Sequence, residues 1–227
     1  MEHRQDLDAL DRHYTAALEA HGDAPGAVQW SSQETQERRM EVLAEIVGPD
    51  ELRTASILDF GCGTGHLLTW LRRTHRYEGS YTGYDIAGAM IQAARALHAS
   101  DPGASFERRD IGTEGVGGDF DLVLVSGTFN NVVSDNWRFL TDHLRILFPH
   151  ARRGLSFNCL SSYVDYTTEG LAHRRPEDVF SFVKAELTPR VALRHDYHVK
   201  DDVIPFEFTV YAYASEHDPV ADRGTAP

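Results

Sequence analysis

Cysteine is scarce in this sequence: Cys62 and Cys159 are the two cysteines among 227 residues. Cys62 lies inside a glycine-rich turn and Cys159 inside an apolar run, as is typical of reduced, buried thiols. A disulfide framework is therefore not expected. The acids, histidines and cysteines also show no spacing typical of a metal site, so we expect no metal.

Basic residues are also few. The 22 Lys and Arg residues stand against 35 Asp and Glu residues, which gives a net charge of −13. This balance argues against unaided binding to nucleic acid or to an anionic membrane. No apolar run approaches the roughly 20 residues of a membrane span, and no signal-peptide pattern is evident. We therefore expect a cytoplasmic protein with a small-molecule substrate, and the sequence leaves its oligomeric state open.

A glycine-rich stretch at 57–68, with the sequence ILDFGCGTGHLL, is the clearest feature that is present. A short apolar run predicts a buried strand, Gly61, Gly63 and Gly65 form a turn, and leucines follow at helical spacing. Glycine lacks a Cβ, so a ligand can lie directly on the peptide groups and on the first N–H groups of the helix. An NAD-binding turn would need glycine where His66 stands, which argues against NAD.

Two further acids follow at positions typical of a nucleoside site. Asp85 lies twenty residues after Gly65, at the expected end of a second strand, where a carboxylate can bind both hydroxyls of a ribose. Asp110 ends a third strand that alternates between polar and apolar residues. An apolar run at 120–127 then predicts a fourth strand that is covered on both faces.

These features together resemble the class I S-adenosylmethionine (SAM)-dependent methyltransferases, whose first motif matches Asp59 and the three glycines. The resemblance implies an α/β fold with a doubly wound, seven-stranded, mostly parallel sheet and a C-terminal antiparallel hairpin. It implies S-adenosyl-L-methionine as cofactor, with Asp59 at the methionine end, Asp85 on the ribose and Asp110 facing the adenine amine.

The segment 30–40 resembles the N-terminal segment of a particular group of small methyltransferases in this class. This resemblance implies that Trp30 and Arg39 border the methionine end of the cofactor. The predicted cofactor-binding residues are Trp30, Arg39, Asp59, Gly61, Cys62, Gly63, Gly65, Asp85, Ile86, Asp110, Ile111, Ser126 and Gly127.

The segment after the fourth strand carries information about the substrate. Enzymes that methylate amino groups of DNA or of glutamine side chains carry Asn-Pro-Pro or Asp-Pro-Pro there, whereas this chain has Ser-Gly-Thr-Phe-Asn-Asn at 126–131. Nucleobase methylation is therefore disfavoured. Hydroxyls and aromatic rings beyond the fifth strand suit a pocket for a small polar molecule. The predicted substrate-binding residues are Phe129, Asn130, Asn131, Asn158, Ser161, Tyr163 and Tyr166.

Methyl transfer is an in-line displacement that needs alignment in a dry site but no metal. A hydroxyl or a protonated amine as acceptor also needs a base, and His195, next to Asp196, is the catalytic candidate. Whether a base is used at all stays open.

We expect residues 1–48 to form a helical lid, 49–214 a SAM-binding core and 215–227 a disordered tail. The predicted function is methyl transfer to oxygen or nitrogen of a small polar metabolite. The alternatives are a SAM-consuming cyclase or lyase that releases methylthioadenosine, and a SAM-binding module without catalysis.

Overall fold

The computed structural model describes residues 2–21, 33–201 and 203–214. The strands within these ranges are β1 (Ile57–Phe60), β2 (Tyr81–Asp85), β3 (Ala104–Arg108), β4 (Phe120–Val125), β5 (Ala151–Ser161), β6 (His173–Arg174), β7 (Val191–Arg194) and β8 (Glu207–Tyr213). The helices are α1 (Glu2–His21), α2 (Gln33–Ala44), α3 (Pro49–Thr54), α4 (His66–His75), α5 (Gly88–Leu97), α6 (Ile111–Glu114), α7 (Asn136–Leu147) and α8 (Pro176–Phe182).

The strands form one sheet in the order β3-β2-β1-β4-β5-β8-β7, with the two-residue β6 pairing beside β5. The first five strands along this order run parallel, and β8 is antiparallel to both β5 and β7. The predicted mostly parallel sheet and its C-terminal antiparallel hairpin are thus confirmed, and β6 is an addition to the seven expected strands.

Two apolar layers cover the two faces of the sheet. Ile57 packs into one core cluster and its neighbour Leu58 into the other, because successive side chains of a strand point to opposite faces. Leu122 and Val123 of β4 divide in the same way. This double burial explains why β1 and β4 are mostly apolar in the sequence and do not alternate between polar and apolar residues.

A short helix, α3, begins directly at the proline that follows Gly48. Proline is well tolerated in a first helical turn, and here Pro49 begins α3. Glu51 supports this start, since its carboxylate accepts a hydrogen bond from the Gly48 backbone N–H at 3.3 Å.

Helix α1 lies over the edge of the sheet where the parallel strands end. Leu7 joins one apolar layer, and Tyr14 and Leu18 pack on Ala87 and Met90 at the start of α5. Helix α1 falls within the segment 1–48 that was expected to be helical, and it lies over the site described next.

Candidate active site

A cavity of about 830 Å³ lies beyond the carboxyl ends of β1, β2 and β4. The chain winds outwards in both directions from β1, and doubly wound sheets bind their ligands at such a point of reversal. Leu10 and Tyr14 of α1 and Met40 of α2 contribute to the wall. The cavity is therefore bounded by the sheet edge and by the N-terminal helices, and its volume is typical of a ligand site.

The glycine turn after β1 presents bare backbone to this cavity. Gly61 and Gly63 line it with φ angles of +81° and +54°. A Cβ on Gly61 would lie 2.0 Å from Thr128 Oγ1, so no larger residue fits. Cys62 also lines the cavity, and burial raises the pKa of its thiol well above the ordinary value. Exposed peptide groups of this kind fit a ligand that lies directly on the turn, as the predicted cofactor requires.

Gly65 has a different role from the other two glycines. It lies outside the cavity wall and precedes α4 with a φ of +82°. An added Cβ would lie 2.8 Å from the Phe106 ring. Gly65 thus allows α4 to pack closely on β3, and the structure does not bring it to the ligand site.

Asp85 at the end of β2 directs a carboxylate to the cavity. Its Oδ2 accepts from the Gly63 backbone N–H at 2.8 Å and its Oδ1 accepts from the Ala87 N–H at 2.9 Å. Each oxygen keeps a second lone pair for another donor. Loss of hydration raises the pKa of this carboxyl, and the N–H groups partly oppose the rise. A carboxylate that can still accept two hydrogen bonds suits the two hydroxyl groups of a ribose.

Asp59 lies one strand away, also in the cavity wall and 3 % exposed. Its carboxyl group accepts a hydrogen bond from the Tyr81 hydroxyl. Burial raises its pKa to about 7, with the nearby charge of Asp85 adding to the rise. A cationic group beside this pair of acids would relieve the cost of ionising Asp59.

Ile86, Asp110 and Ile111 line the end of the cavity nearest β3. Asp110 caps α6 by accepting from the Gly112 N–H at 2.9 Å and from the Thr113 hydroxyl at 3.0 Å. The structure therefore brings these three predicted cofactor-binding residues together.

Ser126 and Gly127 follow β4 and line the cavity. The Ser126 hydroxyl oxygen is buried, and it has no hydrogen-bond partner among the described residues. The Gly127 N–H donates to Asn158 Oδ1 at 2.7 Å. The peptide between Ser126 and Gly127 is therefore fixed from behind the wall while the serine hydroxyl is available to a ligand.

Arg39 reaches the cavity wall, but a protein carboxylate binds it. Its Nε donates to Glu207 Oε2 at 2.6 Å, and both side chains are almost fully buried. Asn158 and Tyr197 also donate to Glu207 Oε1, at 3.4 and 3.1 Å. The predicted contact of Arg39 with the methionine end stays a prediction, and Trp30 lies outside the described residues.

Three of the predicted substrate residues line the cavity, namely Asn130, Asn131 and Tyr166. The Leu160 N–H donates to Asn130 Oδ1 at 3.2 Å, and Asn131 Nδ2 donates to the Tyr14 hydroxyl at 2.6 Å. These residues bound the part of the cavity beyond β4 and β5, next to the region predicted for the cofactor.

Four other predicted substrate residues lie outside the wall. Phe129 is fully buried in an aromatic cluster, and Asn158 belongs to the Glu207 network. Ser161 accepts from the Tyr163 N–H, and the Tyr163 ring is exposed, with its hydroxyl donating to Glu177. Strand ends indicated the correct edge of the sheet but not which side chains face the cavity.

His195 is likewise not in the cavity, which corrects its predicted catalytic role. Its Nε2 lies 3.2 Å from the Pro205 carbonyl oxygen, and its ring packs near Phe208 and Tyr163. His143 of α7 was missed, although it lines the cavity and is 4 % exposed. A histidine inside the apolar stripe of α7 was the available signal. Tyr14 was missed because its position on the apolar face of α1 is also typical of core packing.

In the described ranges, no group of three His, Cys, Asp or Glu residues is placed to hold a metal ion. None of the helices described above is long and apolar enough to cross a membrane.

Comparison with known proteins agrees with this geometry. Residues 57–150 match a family described as a methyltransferase domain. Rv1506c of Mycobacterium tuberculosis, named as a methyltransferase, is 32% identical over 161 residues, which cover 68% of this chain and 90% of that protein.

Solved structures with a similar fold include magnesium protoporphyrin IX methyltransferase (ChlM) from Synechocystis PCC 6803 with bound SAM. Its TM-score is 0.67 at 15% identity, over 92% of this chain and 97% of that chain. The complex of DhpI with SAH has a TM-score of 0.61 at 15% identity, over 91% and 95% of the two chains. At such identities these two structures show the fold alone. With the sequence relative and the matched family, the chain belongs to the class I SAM-dependent methyltransferases, whose cofactor is S-adenosyl-L-methionine.

Proposed function

We propose that this chain transfers the methyl group of SAM to an oxygen or a nitrogen of a small polar metabolite, by a metal-independent in-line displacement. The observation that carries this proposal is that the cofactor motif and the residues after β4 line one and the same cavity. Asp59, Gly61 and Asp85 line one part of it, and Asn130 and Asn131 line the adjoining part.

The residues that would hold the cofactor follow from the order of the strands. Asp85 would bind the ribose, and Asp110 with Ile86 and Ile111 would border the adenine. Asp59, the turn at 61–63 and the end of β4 would bind the methionine part. When bound, SAM supplies a methyl group on a sulfonium, which is an activated leaving group. The task of the protein is to align the acceptor and to exclude water.

The enclosure of the cavity supports a small acceptor. Loop residues Val164 and Leu171 bound it on the side of β5, and α1 covers it on the side of α5. Residue Leu171 pairs with Asn131 as an isolated bridge, and the Val132 N–H donates to the Gly170 carbonyl at 3.1 Å. The net charge of −13 gives a nucleic acid no general attraction. ChlM is named for a porphyrin substrate, which is a property of that protein, and the acceptor here must be identified from this chain.

Calorimetry with the product S-adenosylhomocysteine (SAH) tests the cofactor half of the proposal. Asp85→Ala should weaken SAH binding by about 1 to 3 kcal/mol, since both ribose hydrogen bonds to a charged acceptor are lost. Asp119→Ala is the matched control, because this acid pairs with His150 on the surface, away from the cavity. Equal SAH affinity in the two variants would overturn the ribose assignment.

Incubation of SAM without acceptor tests the reaction itself. Methyl transfer predicts that SAM stays intact until an acceptor is added. Release of methylthioadenosine at a catalytic rate would instead indicate the cyclase or lyase. SAM binding with neither reaction, in the presence of the small-molecule extract of the source cells, would indicate a binding module.

A further inference from the structure

One ring nitrogen of His143 lies beside a backbone carbonyl group of the same helix, α7. Its Nδ1 lies 2.6 Å from the carbonyl oxygen of Phe139, and a carbonyl only accepts hydrogen bonds. In the neutral ring the proton therefore lies on Nδ1, and the basic lone pair lies on Nε2. The residue is 4 % exposed and lines the cavity.

The position of His143 is next to the methionine end of the predicted cofactor site. Its ring centre lies 5.4 Å from that of Phe60, the last residue of β1 before the glycine turn. The rings of Phe139 and Phe129 also pack near it, at ring-centre distances of 4.3 and 6.5 Å. These rings hold the imidazole in place in an apolar surrounding beside the turn.

Asn130 presents the complementary hydrogen-bonding group. It is 6 % exposed, and its Oδ1 accepts from the Leu160 backbone N–H at 3.2 Å. That bond fixes the orientation of the amide, since the backbone N–H can only donate. The amide NH₂ therefore points away from Leu160, and no described residue accepts from it. Asn130 lines the same cavity as His143.

The basic nitrogen of His143 and the NH₂ group of Asn130 together favour some classes of methyl acceptor over others. A hydroxyl has one proton and two lone pairs. One lone pair attacks the methyl group, the other accepts from Asn130, and the proton goes to His143. A neutral amine uses its one lone pair in the attack and leaves the Asn130 NH₂ without a partner. A carboxylate has no proton to give, so its lone pairs would face the lone pair of Nε2 and be repelled by it.

From this geometry we propose that the methyl acceptor is a hydroxyl group, with His143 as the catalytic base and Asn130 as the donor that orients the acceptor oxygen. This inference rests on the proposed methyl transfer. As the oxygen–methyl bond forms, the carbon–sulfur bond breaks and its electron pair stays on sulfur. The hydroxyl proton moves to His143 Nε2 and from there to water, so the products are a methyl ether and SAH.

Product analysis in the wild-type protein is the first test. The probe is SAM with a trideuterated methyl group, incubated with the deproteinised small-molecule extract of the source cells, and fragmentation spectra locate the label. Label on a hydroxyl oxygen is the expected result. Label on nitrogen or on a carboxylate overturns the hydroxyl assignment while methyl transfer stands. The absence of any labelled product contradicts the proposed function itself.

His143→Gln tests the base, because glutamine fills similar space and has no basic nitrogen. We expect kcat to fall by about 10² to 10⁴, with SAH affinity by calorimetry within about twofold of wild type. His195→Gln is the matched comparison, and it should keep wild-type kcat because that ring lies outside the cavity. Unchanged kcat in His143→Gln, or an equal loss in both variants, would overturn the role of His143.

Asn130→Asp tests the donor while it keeps the oxygen that accepts from Leu160. The new oxygen replaces the NH₂, so the KM for the hydroxyl acceptor should rise about tenfold or more. SAH binding reports whether this variant is folded. A KM that stays at the wild-type value, or a gain of activity towards an amine, would contradict the hydroxyl assignment.

Discussion

The Asp59 carboxyl in the cavity wall has a pKa far from its ordinary value. Its surroundings raise its pKa to about 7 from the ordinary 3.8. In the folded protein Asp59 therefore keeps its proton between about pH 4 and 7, whereas in the unfolded chain it loses the proton. Stability that is present at pH 4 is therefore lost as the pH rises through this window.

Asp59→Asn should weaken this pH dependence. Asparagine keeps an oxygen for the Tyr81 hydroxyl and cannot ionise, so between pH 5 and 7 the variant should lose about 2 kcal/mol less stability than wild type. Urea unfolding at both pH values measures the difference. Identical slopes for the two proteins would show that Asp59 has an ordinary pKa in the folded state.

Residue roles were predictable to different degrees. Asp59, Asp85 and Gly61 follow from a motif in which spacing along the chain fixes the position in space. His143 and His195 do not, because the choice between them depends on which face of α7 or of the hairpin meets the cavity. Asn158 was placed on the correct strand, but its side chain points away from the cavity to Glu207.

Helix α2 is joined to the C-terminal hairpin by a buried ion pair. Arg39 of α2 and Glu207 of β8 have side-chain exposures of 5% and 0%. Burial of two charges is costly, but removal of one partner costs more, because it leaves the other charge without compensation.

Arg39→Met should therefore destabilise the fold by about 3 to 5 kcal/mol in urea unfolding. Arg38→Met is the control on the next residue. Arg38 pairs with Glu34 and Asp201 at the surface, so its loss should cost less than about 1 kcal/mol. Similar losses in both variants would show that the buried pair adds nothing beyond a surface pair.

Helix α1 is held over the cavity by polar contacts at three positions in its first two thirds. Asp6 accepts from the Ser134 N–H at 3.1 Å, Asp11 binds Arg108 at 2.9 Å, and the Tyr14 hydroxyl accepts from Asn131. Residues 1–48 were predicted to form a lid, and α1 is part of this segment. A lid of this kind predicts that a ligand in the cavity stabilises the position of α1.

SAH should therefore slow amide hydrogen exchange in α1, because a lid with few buried contacts gains stability from a ligand below. Exchange measured by mass spectrometry with and without SAH tests this. Peptides from α8, which lines no part of the cavity, serve as the internal control. Equal exchange in α1 with and without SAH would contradict a lid.

At the scale of the whole molecule, the sequence predicted the sheet well and the acceptor end of the cavity poorly. β1 and β4 show their burial in their own residues. The acceptor end depends instead on distant segments, as in the hydrogen bond from the Ala172 N–H to the Asn130 carbonyl at 2.8 Å. No local sequence pattern predicts such a contact between distant segments. Trp30 and the tail at 215–227 lie outside the described residues, so the predictions for them remain predictions.

A crystal structure of this protein with SAH bound is the most direct test of the cofactor site. The ribose hydroxyls should lie within hydrogen-bond distance of Asp85, the adenine should lie beside Ile86 and Asp110, and the amino-acid part should lie along Gly61 and Asp59. If the nucleoside lies away from the glycine turn, or if SAH does not bind at any concentration used, the assignment of the cofactor site is contradicted.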